Sequence, residues 1–236
     1  MRMSHAVHVR HAVVVADAPH ADLHPFVELI ATSDLLIAAD GGARYLAELG
    51  YWPHLVVGDC DSLSSAWLER LAAHGALLER YPVHKNETDL ELALLRAVER
   101  GAAHVRILAA LGGRPDQHLA NLQLLAHPAL AGVDARLLHD AWEIFAIRDQ
   151  TLLHGAPGDL VSLLPLSEQV DGIVTEGLFY PLRGETLRLG PARGVSNVLT
   201  ASRARISVAR GVLLCMHAFG AGMVAAWPSL NAPNTI

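Results

Sequence analysis

Short apolar runs alternate with amphipathic segments up to about Asp140, and this alternation constrains the fold more than any other feature of the chain. Ala12–Ala16 (AVVVA), Leu35–Ala39 (LLIAA), Leu55–Val57 and Val105–Leu111 read as buried strands. Between them lie helical stretches around Pro25–Ala31, Ala43–Leu49, Ser65–His74 and His118–Ala126. Gly50 and Gly75 stand where end-capping glycines are expected. In the Ser65–His74 helix, Trp67, Leu68, Leu71 and Ala72 share the expected buried face. The clearest helix follows Thr88. Leu90, Ala93, Leu94, Ala97 and Val98 recur at i, i+3, i+4, i+7, i+8, and Thr88 with Glu91 forms a capping-box pair at its start. Strands alternating with helices predict a parallel sheet covered on both faces.

After Asp140 the texture changes. WEIFAI, TLLH, LVSLLPL, TLRLG, RISVAR and VLLCM are short runs separated by Gly, Pro and Asp turns, with no helical period. The fold class expected is therefore an α/β, Rossmann-like parallel-sheet domain followed by an all-β sandwich or jelly roll. The 236 residues are 52% hydrophobic, enough for two modest cores. The net charge of −6 and the lack of a basic face argue against a nucleic-acid partner. Gly211–Trp227 is nearly uncharged but glycine-rich and short of a span, and the N-terminal apolar run is broken by histidines, so neither a membrane helix nor a signal peptide is expected. Cys60 and Cys215 lie in no metal-ligand spacing, which fits a reducing, cytoplasmic setting. His5, His8 and His11 recur every third residue and read as a strand entry rather than a metal site.

Three loops directly after strands carry acids: Asp40-Gly41-Gly42, Gly58-Asp59-Cys60-Asp61-Ser62 and Gly112-Gly113-Arg114-Pro115-Asp116. In a parallel sheet these loops share the carboxyl edge, where open α/β sheets bind ligands. Asp89, in the first turn of the Thr88 helix, is expected to face the same edge. Singly, each has a structural explanation: Asp-Gly and Asp-Ser are turn pairs, and Asp89 complements a helix dipole. Together, five carboxylates crowded at one edge repel one another unless a cation sits among them. Oxygen donors without His or Cys point to Mg²⁺ rather than zinc. The neighbouring glycines allow close approach to phosphate, and Arg114 offers a forked donor. Lys85 is the single lysine of the chain; it and Asn86 flank the acidic block, as phosphate contacts or as a solvated loop. No GxxxxGK[ST], GxGxxG or GxSxG run is present. The residues thus suggest Mg²⁺-dependent transfer of phosphate groups from a nucleotide.

The ordered series AADGGARYL, VVGDCDSL, KNETDLELAL, LGGRPDQHLANL and GVSN resembles the thiamine pyrophosphokinase family in order and spacing, from about Ala12 to about Met216. The resemblance implies a catalytic α/β domain (1–140) binding ATP and Mg²⁺, a thiamine-binding β domain (141–217) and a C-terminal extension (218–236). It implies transfer of pyrophosphate from ATP to thiamine, giving thiamine diphosphate and AMP, in a homodimer whose sites are shared between subunits. Carried over by position, Asp59, Asp61 and Asp89 correspond to the Mg²⁺ ligands. Asp40, Thr88, Arg114 and Asp116 correspond to ATP and phosphate contacts, and Ser196 and Asn197 to thiamine contacts. Without the family context, GVSN reads as a turn. Gln117 and Val198 depart from the family pattern, which often has His after the aspartate of GGRxD and an acid after GVSN. Two rivals stay open: a pyrophosphokinase for another alcohol such as a hydroxymethylpterin, and a non-catalytic nucleotide or thiamine sensor. In the extension, Met223, Val224 and Trp227 fall at nearly helical spacing and are expected to pack on the body or a partner.

Overall fold

The structure, a computed structural model, describes residues 9–219. The expectations for His5, His8, Met223, Val224 and Trp227 lie outside the described residues. The chain divides into two compact units, one made of residues up to Asn121 with Gly132–Ala135, the other of Leu122–Ala131 with residues from Arg136 onward. The division runs through residues 121–136, somewhat before the change of texture at Asp140.

In the first unit the order is β1 (His11–Val15), α1 (Val27–Ala31, entered by the 3₁₀ turn His24–Phe26), β2 (Leu35–Ala39), α2 (Gly42–Glu48), β3 (Leu55–Gly58), α3 (Ser65–Ala73), β4 (Leu77–Arg80), α4 (Asp89–Glu99), β5 (His104–Leu108) and α5 (Pro115–Leu124). The sheet order is β5-β1-β2-β3-β4, with every pair parallel. β2 and β3 are buried at every position, and β1 at all but its first, as strands covered on both faces must be. Thr88 Oγ1 accepts the Glu91 N–H at 3.1 Å, and Leu90, Ala93, Leu94 and Ala97 bury the expected stripe of α4 against β1–β3. Each buried leucine there contributes roughly 2 kcal/mol.

Two elements depart from the sequence expectation. β4 is a partly exposed edge strand, LLER, whose mixed character hides it from a periodicity reading. In α3 only Leu71 is buried; Trp67 stays half-exposed, with the Arg70 guanidinium 4.6 Å from its ring centroid.

The strand order reverses at β1: β2, β3 and β4 extend to one side, and the chain returns to place β5 on the other. In such sheets the loops leaving the strands on either side of the reversal part, opening a crevice at the carboxyl edge.

The second unit is built chiefly of strands: β6 (Asp134–His139, in this unit from Arg136), β7 (Trp142–Ile147), β8 (Gln150–His154), β9 (Leu160–Pro165), β10 (Gln169–Glu176), β11 (Arg183–Arg188), β12 (Asn197–Val198), β13 (Arg203–Ser207) and β14 (Leu213–Ala218). They pair antiparallel in two groups, β12-β9-β14-β7-β6 and β11-β10-β13-β8. Phe145, Val161, Leu163, Leu213 and Cys215 from the first group share one core with Leu153, Ile173, Leu187, Ala204 and Ile206 from the second. Inside this unit His217 is fully buried, with Nε2 3.3 Å from Asp159 Oδ2 and its Nδ1 without a hydrogen-bond partner among the described residues. Among the described residues no helix is long and apolar enough to cross a membrane.

Candidate active site

The crevice in the first unit is an open cleft of about 540 Å³, within the size range of small-molecule sites. Four segments line it: Ala16–Pro19 after β1, Ala39 and Asp40 at the end of β2, Ala109, Ala110 and Gly112–Arg114 after β5, and Lys85 with Glu87–Leu90 at the start of α4. Asp40 (φ 45°) and Ala109 (φ 52°) at these strand ends, and Cys60 (φ 60°) just after β3, adopt left-handed backbone. Non-glycine residues rarely accept this conformation, and where they do the turn is held by its surroundings, often at a functional site.

Ligand atoms of Asp40, Asp59 and Asp89 all lie within 4.8 Å of one another. Gly58 makes this possible. A Cβ there would lie 3.1 Å from Asp89 Cγ and Oδ1 and 3.2 Å from Asp40 Cβ, at a φ of 151° that favours glycine. Asp40 Oδ1 is buried and takes no hydrogen bond of acceptable geometry from the described residues. Burial pushes the Asp40 carboxyl above its ordinary range; the nearby Ser62 hydroxyl and Gly41 N–H work against the shift, while the charges of Asp89 and Asp59 add to it. An orphaned buried oxygen within a set of hard carboxylate donors fits Mg²⁺, which takes one or two carboxylates and completes its shell with water and phosphate.

Lys85 belongs to the same cluster. Its Nζ lies 2.9 Å from Asp89 Oδ1 and 3.9 Å from Asp59 Oδ2, with the side chain only 11% exposed. The contact to Asp89 is an ion pair by distance that does not meet hydrogen-bond geometry. Burial pulls the ammonium down, but contact with Asp89 and the charges of Asp89, Asp59 and Asp40 outweigh it and hold its pKa above the usual lysine value.

The other residues named from sequence fall differently. Asp61 is exposed and lies outside the carboxylate group; its N–H donates to Asp59 Oδ1 at 3.1 Å, fixing the turn. Thr88 lines the cleft while capping α4. Arg114 also lines the cleft, exposed and paired with Asp116 at 2.5 and 3.1 Å. That hydrogen bonding raises the pKa of the guanidinium and lowers that of Asp116. Gln117 faces the cleft, and the ring of His118 accepts the Gly112 N–H, steadying the loop after β5. Ser196 and Asn197 belong to the second unit. Ser196 is exposed at φ 59°. Asn197 is buried, accepting the N–H groups of Tyr180 and Val198 at 2.9 Å and donating to Tyr180 O at 2.8 Å.

Sequence reasoning passed over Asp17, Pro19 and Asn121, all of which line the cleft. Asp17 pairs with Arg44 at 3.0 Å, and Asn121 donates to Ala110 O at 2.7 Å, holding the loop after β5 from beneath. Asp17 directly follows the AVVVA strand, the same signal that singled out Asp40 and Asp59.

Residues 26–137 match the family model for the thiamin pyrophosphokinase catalytic domain, and residues 149–213 that for its vitamin B1 binding domain. A thiamine pyrophosphokinase of Bacillus subtilis (strain 168) is 30% identical over 185 residues, covering 78% of this chain and 86% of that protein. The chain belongs to the thiamine pyrophosphokinase family. Solved structures agree. The crystal structure of thiamine pyrophosphokinase from Bacillus subtilis superposes with a TM-score of 0.78 at 27% identity, over 89% of this chain and 100% of that one. A thiamin pyrophosphokinase family protein from Enterococcus faecalis gives 0.76 at 27%, over 89% and 98%. Asp40, Asp59 and Asp89 fall within the stretch matched by the family's catalytic model, the Ala16–Pro19 wall of the cleft lies before it, and Ser196 and Asn197 fall within the stretch matched by the vitamin-binding model.

Proposed function

We propose that this chain is a thiamine pyrophosphokinase whose cleft in the first unit holds ATP and Mg²⁺ and whose second unit supplies the thiamine contacts. It is an enzyme that pyrophosphorylates thiamine, as its family membership establishes. The observation that carries the finer reading is the gathering of Asp40, Asp59 and Asp89 at the carboxyl edge of the parallel sheet, beside a glycine-rich cleft of nucleotide size. The same reading takes the first unit as Rossmann-like, with functional domains at 1–140 and 141–217, and the antiparallel unit as a sandwich or jelly roll.

In this reading Asp59 and Asp89 hold the ion with Asp40, and Asp61, exposed one turn away, joins when the nucleotide is bound. Mg²⁺ there would draw negative charge from the diphosphate being transferred. The thiamine hydroxyl oxygen bonds to the β-phosphorus and releases its proton to a carboxylate of the cleft, the bond from that phosphorus to the oxygen shared with the α-phosphate breaks, and AMP leaves with the electron pair. Such transfers ask the protein chiefly for alignment and charge neutralisation. Thr88 and Asp116 fix the helix start and the Arg114 fork around the phosphates. The glycines at 112 and 113 let backbone N–H groups approach them. Ser196 presents thiamine, while Asn197 holds the Tyr180 segment beside it. The protein acts as a cytoplasmic homodimer in which each site draws on both subunits, with no nucleic-acid or membrane partner.

The acceptor is tested by incubating enzyme, ATP and Mg²⁺ with thiamine or a hydroxymethylpterin and separating the products. Phosphorylated thiamine and unchanged pterin support the reading. AMP formed only with the pterin would replace the substrate, and no turnover with either would leave a sensor.

A further inference from the structure

We infer that Lys85 is the built-in counter-ion of the carboxylate group, and that it turns from Asp89 and Asp59 to the phosphates when nucleotide enters, so that metal loading is tied to nucleotide loading. This rests on the metal part of the reading above.

Three carboxylates within 4.8 Å need a compensating charge, or their repulsion drives one of them to take a proton. Lys85 is the chain's single lysine, and it is seated in the cluster rather than solvated, 2.9 Å from Asp89 Oδ1 and 3.9 Å from Asp59 Oδ2 at 11% exposure. Those are oxygens a divalent cation would need. An ammonium and a dication crowded onto one carboxylate repel strongly in a half-buried setting. Lys85 and the metal are therefore competitors while the cleft holds no phosphate.

The same side chain also lines the cleft together with Thr88, Gly112, Gly113 and Arg114. Its contact with Asp89 lacks hydrogen-bond geometry, and residues 81–88, between β4 and α4, form no helix or strand that would fix it. A lysine head on a flexible four-carbon stem can move from one anion to another without backbone rearrangement. Arg114, by contrast, is already held by the two oxygens of Asp116. Lys85 is thus the cation best placed to exchange an internal anion for a ligand's phosphate.

The test measures two affinities separately on the full chain. The first is for Mn²⁺ alone, from the free-ion electron paramagnetic resonance signal. The second is for α,β-methylene-ATP in the presence of EDTA, by calorimetry. Removing a charge beside a cluster of this kind shifts binding by roughly tenfold. Lys85→Met is therefore expected to bind Mn²⁺ about tenfold more tightly, and the metal-free nucleotide about tenfold more weakly, than the unaltered protein. Lys85→Arg, which keeps the charge, should stay within about threefold of the unaltered protein in Mn²⁺ affinity. Damage to the fold would weaken both affinities, so opposite signs are the diagnostic result. Unchanged Mn²⁺ affinity in Lys85→Met overturns the inference. So does a gain in Mn²⁺ affinity with unchanged nucleotide affinity, because the handover would then be absent. Failure of every form to bind Mn²⁺ at millimolar concentration overturns the inference together with the metal reading beneath it, whereas equal, measurable Mn²⁺ binding by all forms overturns the inference alone.

Discussion

Replacing Gly58 by alanine tests how the carboxylates are brought together. The added Cβ would lie 3.1 Å from Asp89 Cγ and Oδ1 and 3.2 Å from Asp40 Cβ. Ordinary carbon contacts lie near 3.5–4.0 Å, so these side chains have to retreat by roughly half an ångström. The backbone at φ 151° adds strain of about 1–3 kcal/mol for a residue with a side chain. A 1 Å misplacement in a site of this kind costs about a hundredfold in rate, so half of that predicts a loss of roughly tenfold in kcat/KM. The strain itself should lower Tm by about 2–12 °C in a protein of this size. Gly75→Ala is the control. Gly75 also has left-handed backbone (φ 87°), yet nothing lies within 4 Å of its added Cβ. That variant should lose stability and keep its turnover. Steady-state turnover and thermal melts on both variants decide the matter: if Gly58→Ala loses no more activity than Gly75→Ala, the packing argument is wrong.

The ligand set is tested by Mn²⁺ affinity without nucleotide: Asp40→Asn should weaken it at least about tenfold while Asp61→Asn leaves it nearly unchanged, and the reverse order would place Asp61 in the ion's resting shell. Mixing Asp59→Asn with Ser196→Ala subunits should restore activity through heterodimers carrying one intact site, and no recovery after verified subunit exchange would argue against a shared site. Burial holds the His217 pKa below the ordinary value of 6.5, against the raising effects of Glu143 and Asp159, with Arg136 adding to the lowering. The stability this neutral ring confers is full above pH 6.5 and declines as the pH falls below it toward the depressed folded value, because the unfolded chain binds the proton first; the slope is at most about 1.4 kcal/mol per pH unit. Urea melts between pH 7.5 and 5 should show this decline, reduced in His217→Gln; parallel curves for the two proteins would contradict it.

Much of the first unit was readable because its strands are covered on both faces: AVVVA and LLIAA are apolar throughout, and Thr88 announces the start of α4 by its capping pair. The acids were legible for the same reason, since each follows such a strand directly. Which of them converge was not legible. Asp40 reaches Asp59 and Asp89 through a left-handed turn and the missing side chain of Gly58, whereas Asp61 is turned outward, its own N–H on Asp59. Lys85 was marked in the sequence only by being solitary and by flanking the acidic block; its seat between Asp59 and Asp89 depends on a loop without regular structure. In the second unit, β10 (QVDGIVTE) was missed because Gly172 and a break in register disrupt its alternation, and β12 because two residues carry no period. Asn197 looked like a ligand contact from the GVSN motif; that its amide is occupied by the Tyr180 backbone appears only in three dimensions.

The reaction proposed for the cleft is transfer of a diphosphate in one step from a nucleotide to thiamine. Phosphorus NMR of a reaction containing enzyme, ATP, Mg²⁺ and thiamine tests it most directly. The acidic edge, with Asp40, Asp59 and Asp89 gathered beside the glycine turns, is suited to grip a triphosphate while an alcohol attacks the middle phosphorus. The expected spectrum shows AMP and thiamine diphosphate rising together in equal amounts, with no thiamine monophosphate at early times and no AMP when thiamine is left out. ADP appearing with thiamine monophosphate would show single-phosphate transfer and rule out a one-step diphosphate transfer.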